Sequence, residues 1–157
     1  MPALETIWSE IGIWDADSRS PLPEGGGKPI AGDTVFIPAG WNCTLDEDTE
    51  ILDYLEINGN LTFDPTKDIT LKAKRIFIRD GILISGSAEA PTTFKHEIHL
   101  YGELEDEHLV FDGTLAAGNK VLAVTGQLDM YGLKKKSWTK LATNAYPDDS
   151  IIFTEDT

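Results

Sequence analysis

The sequence holds a single cysteine, Cys43, so no disulfide can form within the chain and stability must come from buried apolar area. No apolar run approaches the ~18 residues of a membrane-spanning helix. The first residues lack the basic segment and apolar run of a secretory leader, which reads as a cytosolic protein or as a mature or excised piece of a longer one. Positive charge is scarce: 13 Lys and Arg stand against 27 Asp and Glu, a net charge of −14. Nucleic acid and anionic membrane surfaces both call for a basic stripe, so both are disfavoured as partners. No segment sustains a 3.6-residue period, which leaves room for at most a helical turn near Ser87–Phe94 or Trp138–Asn144. There is no CxxC pair, no Ser-His-Asp phrase and no phosphate-cradling glycine loop.

What the sequence does have is alternation. In Leu55-Glu-Ile-Asn-Gly-Asn-Leu-Thr-Phe63, apolar and polar residues alternate except at Gly59. A half-buried strand has a side-chain period of two, so Leu55, Ile57, Leu61 and Phe63 point one way and Glu56, Asn58, Asn60 and Thr62 the other. Similar phrases recur around Gly81, Gly102 and Gly126, at steps of 22, 21 and 24 residues from Gly59 onward. A strand-Gly-strand unit of that length is the mark of a stacked solenoid, in which each unit covers the apolar face of the next. The expected fold is therefore all-β, a right-handed parallel β-helix. Ile57, Ile78, Leu100 and Val124 should line up in neighbouring layers. An antiparallel β-sandwich is the alternative, since it too has short strands with turn signals.

Along the chain, residues 1–30 read as an irregular N-terminal cap. Trp8 and Trp14 would cover the open end of the core, and a loop follows at Pro21, Pro23 and Gly25-Gly26-Gly27. Residues 31–157 read as the β-helical domain. Strands are expected at Val35–Ile37, Trp41–Leu45, Ile69–Ala73, Ile76–Ile78 and, last, Ile151–Phe153. The acidic loop Glu103–His108 interrupts the series.

The ordered set of phrases resembles the G8 domain, a module named for its glycines. The residues that carry the resemblance are Gly32-Asp33-x-Val35-x-Ile37-Pro38-x-Gly40, Leu45-Asp46 and Leu55-x-Ile57-x-Gly59. Further on they are Ile76-x-Ile78-x-x-Gly81 with Gly86, Ile98-x-Leu100-x-Gly102, Gly126-x-Leu128-Asp129-x-x-Gly132 and Trp138-Thr139-x-Leu141. The resemblance spans about residue 6 to residue 154. It implies an extracellular or cell-surface module of large ectodomains, those of fibrocystin-like and hyaluronan-degrading proteins. There the module leads into a longer right-handed β-helix. The chain departs from the pattern in lacking a leader and in stopping before a further Trp and Gly-Asp strand, which reads as a fragment or a short member. The implied function is a non-catalytic module binding glycan or protein ligands within a larger chain. A part of a hyaluronan-binding or depolymerising enzyme and a structural capping spacer are the alternatives.

Candidate chemistry is sparse. Asn42-Cys43-Thr44 and Asn60-Leu61-Thr62 are N-glycosylation acceptors, with both asparagines on the outward side of the alternation. Cys43 alternates inward with Trp41 and Leu45 and reads as a buried, inert thiol. The acidic groups Asp46-Glu47-Asp48 and Glu103 to Glu107 read as a solvated face. Calcium, which takes oxygen ligands from such loops, is the alternative, and no other cofactor is expected. His96 and His99 lie three apart on a strand, so they face opposite ways and do not share a metal. Asp46 and Asp129 read as turn residues whose carboxylates accept from backbone amides. Lys134-Lys135-Lys136, the one basic cluster, reads as a solvated loop, with an anionic polysaccharide as its alternative ligand.

Overall fold

A computed structural model describes residues 3–14, 27–111 and 113–155. Of the expected loop at residues 21–27, residues 21–26 lie outside the described residues. The chain is all-β. Twelve strands run in order among the described residues: β1 (Leu4–Ile7), β2 (Thr34–Ile37), β3 (Trp41–Leu45), β4 (Leu52–Ile57), β5 (Asn60–Phe63) and β6 (Ile69–Ile78). They continue with β7 (Ile82–Ser85), β8 (His96–Leu100), β9 (Leu109–Phe111), β10 (Leu115–Gly118), β11 (Val121–Val124) and β12 (Gln127–Met130).

The strands alternate between two sheets. One sheet has the order β1-β3-β5-β7-β12; the other has the order β11-β6-β4-β2, with β8 also paired to β6. Every pairing in both is parallel; β9 and β10 form a separate antiparallel ribbon. The antiparallel sandwich is therefore not what forms. Parallel neighbours in register carry like side chains to the same face. Val35, Leu55, Ile76 and Leu122 make one inward row, and Ile37, Ile57, Ile78 and Val124 the next. From the facing sheet, Cys43, Leu61, Leu83 and Leu128 make a third. The buried members of these rows join one apolar cluster drawn from both sheets. At ~25 cal/mol per Å2 of apolar area, this burial supplies the stabilisation that disulfides cannot.

The bends between the sheets stack as well. A Cβ on Gly81 would overlap the Gly59 carbonyl oxygen, and one on Gly126 would overlap that of Gly81. At Gly59 it would stand 2.7 Å from the Trp41 carbonyl oxygen. These three glycines are therefore required by the close approach of successive backbone bends.

Gly102 does not belong to that column, and Leu100 does not pair beside Ile78. Leu100 pairs with Ala73, and Val124 takes the place beside Ile78. The reason is the length of β6: its ten residues accept β8 along the first half and β11 along the second. Between those two strands the chain leaves the sheet and returns. A Cβ on Gly102 would overlap the Asn119 carbonyl oxygen, where outgoing and returning chain cross. The spacing counted that excursion as a layer.

Two other expectations change. Residues 4–7, read as irregular, form β1 and pair with β3 through Leu4↔Trp41 to Ile7↔Thr44. Ile151–Phe153 is not a strand; its three side chains are exposed, and a lone bridge ties Leu141 to Thr154. Ser87–Phe94 and Trp138–Asn144 hold no helical turn, within the bound of at most one that the sequence set. The tryptophans do bury: Trp8 and Trp14 meet edge to face at 4.8 Å, and the Trp14 Nε1–H donates to the Trp8 carbonyl at 3.0 Å.

Candidate ligand-binding site

Past β7 the chain turns out at Gly86, whose φ of +70° suits glycine. It comes back alongside the end of β12. The Thr92 amide donates to the Tyr131 carbonyl at 2.8 Å, and the Tyr131 amide donates to the Ser85 carbonyl at 2.8 Å. Between these segments lies a cavity of about 390 Å3. Phe94, Lys95, His96, Met130, Tyr131 and Lys135 are among its lining residues, and the lining contains no carboxylate side chain. Phe94 and Tyr131 are 40% and 42% exposed, large rings that packing has left open to a ligand.

The cavity wall holds a serine–histidine pair that the sequence phrases did not indicate. Ser85 Oγ lies 2.7 Å from His96 Nδ1, and His96 Nε2 lies 3.2 Å from the carbonyl oxygens of both Asp64 and Lys67. Carbonyls only accept, so Nε2–H donates to them, and in the neutral ring Nδ1 accepts from the serine. The ring also stacks on Phe63, with centroids 4.8 Å apart. Ser85 is 2% exposed, so the hydroxyl is a buried anchor for the imidazole and not a presented nucleophile. The signal was present in Ile82-Leu83-Ile84-Ser85, where a serine occupies the inward place that alternation gives to an apolar residue.

A second cavity, of about 320 Å3, opens on the outer face of the other sheet. Its lining includes the outward row Thr34–Tyr54–Arg75 of β2, β4 and β6, and residues 107–110 from the excursion that includes the β9–β10 ribbon. The excursion is held down by Lys74–Asp106 at 2.6 Å and by Phe111 edge to face on Phe77 at 4.8 Å. Beside it Arg79 holds Glu56 at 2.8 Å, with Tyr54 Oη and Asn58 Nδ2 also donating to that carboxylate. Burial opposes the charge on Glu56, but the three donors outweigh it and hold its carboxyl below the usual range. Burial and the Glu56 carboxylate raise the Tyr54 phenol, which stays protonated.

The sequence-predicted residues scatter. Asn42 and Asn60 are cross-strand neighbours on β3 and β5, half-buried; Asn60 Nδ2 donates to Asn42 Oδ1 at 2.7 Å, and Asn42 Nδ2 donates to Glu5 at 2.7 Å. Cys43 is buried, and burial pushes its thiol up to about 11. Asp46 accepts from the amide and hydroxyl of Ser9 at 3.0 and 2.8 Å, a long-range tie to the segment after β1 and not a bond within its own turn. Asp129 instead accepts from Gln127 Nε2 at 2.7 Å. Asp33 accepts from the Ile30 amide at 2.8 Å. Asp48 accepts from the Thr70 amide at 2.8 Å and pairs Lys72 at 3.2 Å. Gly32 and Gly40 take left-handed φ values, whereas Gly132 meets nothing within 4 Å. Trp138 is 69% exposed. His96 faces Ser85, while His99 lies 3.7 Å from Glu97, so the two histidines are apart. Among the described residues no three His, Cys, Asp or Glu side chains converge as a metal would need. Of the lysine run, Lys135 lines the first cavity.

The chain is 35% identical over 136 residues to human Fibrocystin-L, covering 83% of this chain and 3% of that protein. It is 36% identical over 132 residues to dog Fibrocystin, covering 82% of this chain and 3% of the relative. Mouse Fibrocystin-L is 31% identical over 162 residues, covering 96% of this chain and 4% of its own. The chain thus spans a few per cent of the length of these curated relatives. No solved structure matches it. The G8 domain matches residues 22–142, and with relatives at this identity over most of its length the chain belongs to the G8 domain family.

Proposed function

We propose that the chain is a non-catalytic extracellular module of a larger protein, and that its cavity beside β7 and β12 binds a glycan. The observation that carries this is the pair of half-exposed rings, Phe94 and Tyr131, opening on a cavity that Lys95 and Lys135 also line. Aromatic faces cover the C–H face of a sugar, and ammonium groups donate to its hydroxyls or carboxylates. The extracellular location is supported by kinship with the fibrocystins, and membership of a larger chain by their length. Asn42 and Asn60 carry the glycosylation proposal; as direct cross-strand neighbours they leave room for one attached glycan.

The non-catalytic reading is supported by the lining. Glycoside hydrolysis needs two carboxyl groups across the scissile bond, and this cavity presents none. At the level of fold, the reading is a right-handed parallel β-helix. Strands alternating between two parallel sheets and glycine bends stacked one on another support it. A second reading is a spacer. It is favoured by the exposed apolar side chains Val124, Met130 and Tyr131 at the end of the stacked strands.

The test is a glycan array probed with the folded chain, with and without EGTA, beside a hyaluronan depolymerisation assay. Saturable binding to a glycan with no loss of hyaluronan length is expected. Depolymerisation would overturn the non-catalytic reading, and silence on every glycan would favour the spacer.

A further inference from the structure

The second cavity, under the β9–β10 excursion, lies on the other sheet and does not depend on the glycan reading above. Its outstanding feature is Arg75. The residue is 8% exposed, on β6, and is among those that line the cavity. Nη2 pairs Asp53 at 2.5 Å, which is a full charge-assisted contact. Nη1 reaches only Glu107 at 3.5 Å, and that carboxylate's side chain is 88% exposed. Nε is buried without a partner among the described residues. A guanidinium has five N–H donors, and a buried polar atom left unpaired costs more than an average hydrogen bond returns. Arg75 is therefore well held on one side and under-satisfied elsewhere, at a cavity large enough for a small molecule.

The lining indicates what that molecule is. Thr34 and Tyr54 share its lining with Arg75, whose guanidinium lies 5.7 Å from the Tyr54 ring centroid, and Asp53 offers a carboxylate acceptor. Mixed donors and acceptors beside an aromatic ring match a polyol that bears one acid group. The net charge of −14 works against polyanions and acidic peptides, but little against a single negative charge. A volume of about 320 Å3 is at the small end for ligand cavities, suited to one ring.

We propose that this cavity binds a monosaccharide acid, its carboxylate taken by Arg75 in place of the loosely held Glu107. Tyr54, which carries Arg75 over its ring, then borders the sugar, Asp53 accepts from its hydroxyls and Thr34 accepts from or donates to them. Glu107 acts as a competing carboxylate supplied by the protein itself.

The experiment follows the arginine Nε–H resonances of the whole 157-residue chain by two-dimensional NMR during titration with sodium glucuronate, with glucose and sodium acetate as parallel arms. Glucuronate should move the Arg75 signal saturably, and glucose and acetate should bind at least tenfold more weakly. Glu107→Gln, an exposed change that leaves the fold intact, should tighten glucuronate binding several-fold. Arg75→Lys should weaken it at least tenfold, since an ammonium cannot give the planar fork. An Arg75 signal unmoved at tens of millimolar glucuronate would overturn the proposal. Acetate binding as tightly as glucuronate would overturn the sugar acid, and unchanged affinity in Glu107→Gln would overturn the competition.

Discussion

Gly81 sits directly against Gly59, so that a Cβ on Gly81 would overlap the Gly59 carbonyl oxygen, and both belong to bends that cross between the sheets. Backbone cannot move aside as a side-chain tip can. Gly81→Ala should therefore destabilise the chain by about 3 kcal/mol, the upper range for forced overpacking. Gly132→Ala, with nothing within 4 Å, should stay within about 0.5 kcal/mol of the parent. Urea unfolding of both variants checks the contrast.

The Ser85–His96 contact at 2.7 Å makes a second prediction. Ser85→Ala removes the donor and leaves the half-buried imidazole Nδ1 without its protein partner. The expected cost is about 1–2 kcal/mol, the penalty for an orphaned half-buried acceptor. Glycan binding at the cavity whose wall the pair forms should survive, because the Ser85 hydroxyl is buried and turned to His96. Loss of binding in a variant of unchanged stability would contradict the anchoring role.

Glu56 gives a pH dependence. Its carboxyl is held below its ordinary value of 4.5, so the folded state binds its proton less readily than the unfolded state. The stability from this group is complete above the ordinary value and disappears as pH falls through the lowered one. Glu56→Gln should be less stable at neutral pH by at most about 1 kcal/mol, since Arg79 is half exposed. Its urea midpoint should also fall less steeply between ~pH 7 and ~pH 3 than that of the parent. Parallel curves for the two proteins would contradict the assignment.

Cys43 should resist thiol reagents in the native state. It is 1% exposed, and burial raises its thiol to about 11, so at mildly alkaline pH neither access nor thiolate is available. Labelling in urea but not in buffer is the expected outcome. Rapid labelling of the folded chain would mean that the inner row through Cys43 and Leu61 opens.

The rows of inward side chains were legible in the sequence because alternation has one physical cause, and Leu55, Ile57, Leu61 and Phe63 are all buried as it requires. Layer assignment was less so. Counting from glycine to glycine placed Gly102 in the bend column, whereas it marks the crossing of an excursion that packs Phe111 on Phe77, a contact between residues far apart in the chain. β1 was invisible because Leu4–Ile7 has only one inward residue, Thr6, and that one is polar. Neither cavity could be read beforehand. Each joins residues far apart in the chain, Phe94 with Tyr131 and Arg75 with Glu107, and no phrase records such pairs. The exposed Glu56 expected from alternation is buried because Arg79, Tyr54 and Asn58 gather around its charge.

The most direct test of the glycan-binding reading compares the parent chain with Phe94→Ala/Tyr131→Ala, by calorimetric titration against the strongest glycan found on the array. Both rings are surface residues, so the double variant should unfold at the parent's urea midpoint within error. The account predicts that its affinity falls at least tenfold. Undiminished affinity in the folded double variant would contradict it.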